Sequence, residues 1–111
     1  MGGILGIEKR KSRAEAGMNI HWSVEAVNDL ACVRTFVSQD NAAAARRLAS
    51  RIIQAIESLA ENPAVGRQGR VTGTRELVVP HTPFIVPYRV RFSRLEILRI
   101  YHGARRWPDI L

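Results

Sequence analysis

Apolar residues recur at helical spacing as far as Pro63 and alternate in strand fashion after it, so the chain divides into a helical half and a sheet half. Asn19-Ile20-His21-Trp22 alternates and leads into Ser23, whose hydroxyl is suited to cap a helix. A short strand running into a helix over 24–37 is predicted. Val24, Val27, Leu30, Ala31 and Val37 fall within one stripe of that helix and are expected to face the core, with Cys32 and Phe36 off the stripe. Gln39-Asp40-Asn41 then opens the clearest element. Ala45, Leu48, Ala49, Ile52, Ala55, Ile56 and Leu59 form one continuous apolar face, with Arg46, Arg47, Arg51, Gln54, Glu57 and Glu61 on the other. Asn62-Pro63 ends it, because the residue before a proline avoids helical backbone. The short link predicts a helical hairpin laid on a sheet.

The second half is predicted to supply that sheet. Residues 65–73, with three glycines and the basic pair Arg67 and Arg70, read as a loop, 74–79 as a strand and 80–83 as a turn. Phe84, Val86, Tyr88, Val90 and Phe92 alternate strictly and form the core face of a strand that pairs with 95–102. A two-residue turn at Ser93-Arg94 would set Phe92 opposite Leu95, Val90 opposite Ile97, Tyr88 opposite Arg99 and Val86 opposite Tyr101. Arg91 would then face Glu96, Arg89 would face Leu98, and Ile85 would face His102. In that register Arg89, Arg91 and His102 share the outward face. Pro87 has no N–H to give the ladder, which demands a bulge or an edge.

Charge sharpens the division. The 111 residues carry a net charge of +7. Residues 18–64 hold four arginines against five carboxylates, while 65–111 hold nine arginines against three. From Met18 onward every basic residue is arginine, whose planar fork of donors suits phosphate and carboxylate better than lysine does. A basic sheet on a near-neutral helical support points to a polyanionic partner. Residues 1–17 contain the only lysines, Lys9 and Lys11, and are expected to be a disordered extension or foreign sequence. Met18 is then the expected natural start of a single domain over 18–111. They lack the apolar run of a signal peptide.

Several chemistries find no support. The loop glycines are not followed by Gly-Lys-Ser/Thr, so no phosphate-binding loop is present. Cys32 is the only cysteine, which rules out an internal disulfide and fits a reducing, cytoplasmic setting. No apolar run reaches the ~18 residues of a membrane span. No cofactor, metal or small-molecule substrate is implied. Arg99, inside an apolar strand, is expected to form a structural ion pair with a helix carboxylate. His102, at a strand end, could transfer a proton in RNA cleavage or simply cap the sheet. His81 is expected in a solvated turn, and Trp107-Pro108 is expected to pack the tail onto the domain.

The succession of strand, helical hairpin and three strands resembles the RelE/ParE superfamily of toxins from bacterial toxin–antitoxin modules. The likeness runs from about Ile20 to Trp107. It is carried by Trp22-Ser23 with Asp29-Leu30, by Leu59-Ala60-Glu61-Asn62-Pro63 with Gly66-Arg67, by Pro87-Tyr88-Arg89-Val90, and by Ile97 to Arg105. It implies an α+β fold with a short N-terminal strand, a helical hairpin and a three-stranded antiparallel sheet. It also implies a cognate antitoxin that wraps the helices and sheet. RelE-like members cleave mRNA on the ribosome. Here His102, Arg89 and Arg105 would be their catalytic set, but Ile85 stands where those nucleases place an arginine, and their lysines are missing. ParE-like members poison DNA gyrase without catalytic residues, and His102-Gly103-Ala104-Arg105 resembles the end of their last strand. The missing arginine favours the ParE-like class. Arg75, Arg89, Arg91, His102, Arg105 and Arg106 are the expected target- or antitoxin-binding residues. A plain nucleic-acid-binding module is the reading of another kind, although no zinc spacing, GXXG loop or aromatic RNA-binding motif accompanies the charge.

Overall fold

The computed structural model describes residues 18–39 and 41–103. Strand β1 (Asn19–Trp22) leads into helix α1 (Val24–Ser38) and helix α2 (Ala42–Leu59). Then follow β2 (Arg67–Gln68), β3 (Arg75–Val78), β4 (Phe84–Arg91), β5 (Arg94–Ile97) and β6 (Tyr101–His102). The strands form one sheet in the order β1-β5-β4-β3-β2, with β6 also on β4. The antiparallel trio β3-β4-β5 is its centre, and β1 joins parallel to β5. The segment 65–73, expected to be loop, contributes β2, whose Arg67 pairs with Glu76.

Each helix begins as its sequence dictates. The Ser23 hydroxyl accepts from the Ala26 N–H at 2.9 Å, and Asn41 Oδ1 accepts from the Ala44 N–H at 3.0 Å. Helix α2 buries the face its periodicity predicts, with Ala45, Ala49, Ile52, Ile56 and Leu59 all buried. Helix α1 does not. Ala26 is fully buried and Leu30 and Val33 pack on the core, whereas Val24 and Val27 are 72% and 52% exposed and Ala31 is exposed. Its apolar residues are spread around the helix, so periodicity alone could not choose the inward stripe. Asp29, which the apolar pattern ignores, fixes that choice. Cys32 is exposed, and the Phe36 side chain lies outside the described residues.

The helices cover the face made by Val86, Tyr88, Leu95 and Ile97. Tyr88 ties sheet to helix exit. Its hydroxyl donates to Pro63 O at 2.6 Å and accepts from the Gly66 N–H at 2.9 Å. A Cβ on Gly66 would stand 2.5 Å from that oxygen, so the position admits only glycine.

The β4–β5 hairpin turns at Phe92-Ser93, one residue earlier than expected, so Arg91 pairs with Arg94, Val90 with Leu95 and Tyr88 with Ile97. Each partner on β5 moves by two, which keeps the outward and helix-side parity of β4. Phe92, expected on the core face, instead sits in the turn at 80% exposure, and Val90 is 48% exposed, because the core under the hairpin ends before its tip. Both turn residues have positive φ, 55° and 60°, as a turn matched to strand twist requires.

After Ile97 the pairing breaks. Pro87 accepts from the Leu98 N–H at 2.9 Å but has no N–H to return. Residues 98–100 leave the ladder, and when it resumes Ile85 faces Tyr101 and Phe84 faces His102. One extra residue has entered on the second strand, a bulge that reverses the faces beyond it. Helix α1 holds this bulge. Asp29 accepts from Arg99 Nε at 2.8 Å, from Arg99 Nη2 at 3.1 Å and from the Ile100 N–H at 2.9 Å. The Ser23 hydroxyl donates to Leu98 O at 2.9 Å. Arg99 therefore forms the expected helix ion pair, although Ile97, not Arg99, faces Tyr88.

Replacing Asp29 with Ala strands a half-buried guanidinium and a backbone N–H. It is expected to cost about 2–4 kcal/mol, less than a fully buried pair because both partners keep some solvent. Urea denaturation should show the loss, and amide exchange at Ile100 should accelerate well before global unfolding.

Candidate functional site

On the sheet face turned away from the helices, strand parity gathers arginines around two carboxylates. Glu96 on β5 is one hub. Arg89 Nε donates to its Oε1 at 2.6 Å, Arg91 Nε lies 3.5 Å from the same oxygen, and Arg94 Nη2 lies 3.7 Å from Oε2. Glu76 on β3 is the other. Arg67 Nη2 donates to it at 3.0 Å, Arg70 Nε lies 4.0 Å away, and the Arg70 N–H donates at 3.3 Å. Both carboxylates are buried while four of the five arginine side chains stay about half exposed. Five guanidiniums on two carboxylates leave an excess of positive charge that is held in place. Long cationic side chains pinned at the base present a fixed anion-binding surface.

The same face is sealed at one end by a small apolar cluster. Ile85 and Tyr101 are buried there, with Val71 and Leu98 against them. Residues 69–74 fold back to deliver Val71, closed by the Gly69 N–H donating to Thr74 O at 2.8 Å and the Thr74 hydroxyl to Val71 O at 2.6 Å. Burial, reinforced by Glu76, pushes the Tyr101 phenol above its ordinary 10.0, so it stays protonated at neutral pH.

The residues singled out from sequence do not all meet. Arg89 and Arg91 share the outward face as expected, joined by Arg94, Arg67 and Arg70. His102 does not join them. The bulge sets it opposite Phe84 on the helix side of the sheet, ring centroids 5.7 Å apart and edge to face. Arg75 is also on the helix side, where its Nη1 donates to Gly66 O at 2.7 Å and Ala64 O at 3.2 Å, clamping the helix exit. Arg105, Arg106 and Trp107 lie outside the described residues. Sequence reasoning missed Glu76 as a hub and paired Glu96 only with Arg91. The available signal was their isolation, since each is a lone acid on a strand otherwise apolar or basic.

A second surface runs along the helical hairpin. An open groove in two stretches, of about 450 and 500 Å³, is lined by Ala31, Ala45, Ala49 and Ile53, with Arg34 and Arg46 bordering both. Among the described residues no group of His, Cys, Asp or Glu could hold a metal ion, and no helix is long and apolar enough to cross a membrane.

Comparison with known proteins follows the same outline. The family model described as the ParE toxin of the type II toxin-antitoxin system, parDE, matches residues 20–107. Protein Y4kP of Sinorhizobium fredii is 40% identical over 92 residues, covering 83% of this chain and 95% of its own. Toxin RelE2 of Caulobacter vibrioides is 38% identical over 84 residues, covering 76% and 93%. Among solved structures, the chromosomal ParDE system from P. aeruginosa superposes with a TM-score of 0.71 at 28% identity, covering 78% of this chain and 97% of that one.

The Arg89 hydrogen bond, opposed by burial and aided by the charges of Arg91, Arg89 and Arg94, holds the Glu96 carboxyl below its ordinary 4.5. A depressed carboxyl contributes stability that is complete above its unfolded value and is lost as pH falls through the folded one. Glu96→Gln should therefore flatten the acid limb of a melting-temperature profile measured from neutrality down through the carboxylate range. The mutant should already melt lower at neutral pH, where three arginines have lost their counter-charge.

Proposed function

The chain belongs to the ParE toxin family of type II toxin–antitoxin systems, and we propose that it arrests growth by binding rather than by cleaving, with DNA gyrase as its target. The observation that carries this reading is the separation of His102 from the arginine face by the Leu98–Ile100 bulge. RNA cleavage needs a base, an acid and charge stabilisation converging on one phosphate. Here Arg89, Arg91 and Arg94 face one way, His102 the other, and Tyr101 is buried and protonated. The outward arginines instead offer a rigid docking face for an anionic surface. A cognate antitoxin is the second partner. The open groove of the helical hairpin suits an amphipathic segment, with carboxylates meeting Arg34 and Arg46 and others reaching the outward arginines.

Ribosome-dependent mRNA cleavage is the alternative, favoured by two observations: Tyr101-His102 at the last strand resembles the end of RelE-like nucleases, and a Caulobacter relative carries the RelE name. Expression of the chain alone should halt growth and be rescued by the antitoxin. Chromosome breakage that depends on gyrase, with intact transcripts, is the expected result. Ribosome-dependent transcript cuts would overturn it. His102→Ala should leave toxicity nearly unchanged, while joint replacement of Arg89 and Arg105 should weaken target binding on the order of tenfold per guanidinium. Complete loss of toxicity in a folded His102→Ala protein would establish the nuclease.

A further inference from the structure

The most exposed large apolar side chain among the described residues lies neither on the helical groove nor in the core. Phe92, at the tip of the β4–β5 hairpin, is 80% exposed. It occupies the first turn position at φ 55°, followed by Ser93 at φ 60°. Such turns favour Asn-Gly, because a Cβ is unwelcome at positive φ. The hairpin would form more readily without this ring, which is not part of the buried core. A bulky aromatic kept where the backbone disfavours it needs a use outside the fold.

Its flanks indicate which. Arg91 and Arg94 pair directly across the strands beneath the turn and extend the outward arginine face to the tip. The Arg91 guanidinium carbon lies 5.5 Å from the Phe92 ring centroid, and Arg91 and Arg94 are both drawn to Glu96. The ring is thus an aromatic plate with one positioned cation, Arg91, beside it and a second, Arg94, opposite Arg91 on the facing strand. An anchor for a protein partner is ringed by contacts that exclude water. Here the chain neighbours are two guanidiniums and a hydroxyl. A base has a π-face for the ring and phosphates on either side for the arginines, which matches the arrangement in both shape and charge.

We propose that the Arg91-Phe92-Ser93-Arg94 tip binds an unpaired nucleotide of a nucleic acid strand, the base stacked on Phe92 and the flanking phosphates on Arg91 and Arg94. The contact goes beyond binding of a protein target and does not depend on which target the toxin has. It tolerates any base, since stacking reads no hydrogen-bond edge.

Fluorescence anisotropy of the purified full chain with short labelled oligouridylate and oligothymidylate tests this. Phe92→Ala should bind roughly 5- to 100-fold more weakly, the range of a lost base stack, while Phe92→Trp retains affinity. Phe92→Asn relieves the turn, so it should melt at a higher temperature yet bind as weakly as the alanine variant. Arg94→Ala should lower the salt dependence by about one phosphate contact. Preference for one oligonucleotide would assign the source as RNA or DNA. No binding by the natural chain, or equal affinity in Phe92→Ala, would overturn the proposal. So would a loss of growth arrest in Phe92→Ala with oligonucleotide affinity intact, which would make the ring a protein anchor.

Discussion

Three donors converge on the Asp29 carboxylate, two from Arg99 and one from the Ile100 backbone, and the segment they hold is where the sheet changes parity. Pro87 creates the need, because the ladder beside it lacks an N–H and residues 98–100 depart from the strand. A departing segment carries backbone donors and acceptors that must find partners elsewhere. Helix α1 supplies them, with Asp29 taking the Ile100 N–H and Ser23 giving its hydroxyl to Leu98 O. The same contact orients α1, burying Ala26 and turning Val24 and Val27 to solvent. One carboxylate thus sets both the helix rotation and the faces on which Tyr101 and His102 emerge after the bulge.

The outward face follows from that parity. Arginines on neighbouring strands repel one another unless something between them is negative, and cross-strand like charges destabilise a sheet. Glu76 and Glu96 sit where they meet this requirement, buried beneath guanidiniums that remain half exposed. The arrangement leaves the arginines ordered but not neutralised. The chain belongs to a toxin family, and His102 lies on the opposite side of the sheet from this charge.

Two further surfaces complete the exterior. The hairpin groove is lined by alanines and Ile53, with Arg34 and Arg46 on both stretches and Ser50, Gln54 and Glu57 on one, so it joins small apolar side chains to a mixed polar border. The β4–β5 tip instead sets one exposed ring beside Arg91, with Arg94 opposite Arg91 on the facing strand.

Much of the fold was legible from residues alone. Ser23 as a cap, the helix start signalled by Gln39-Asp40-Asn41, the buried face of α2, the division at Pro63, the core alternation of β4 through Val86 and Tyr88, and the pairing of Arg99 with a helix carboxylate are all local signals, and each is present in the structure. Even the misplaced hairpin turn kept the faces of Arg89 and Arg91, because its error moved partners by two positions. The inward stripe of α1, the hubs Glu76 and Glu96, and the side of the sheet taken by His102 were not legible. The stripe of α1 depends on a partner far along the chain, as when Asp29 meets Ile100, while the hubs depend on how a turn and a folded loop bring near neighbours such as Arg89 to Glu96 and Arg70 to Glu76. Periodicity reports which residues could share a surface. Tertiary structure alone decides which of two such surfaces faces the core, since that choice rests on long-range polar contacts that no local pattern encodes.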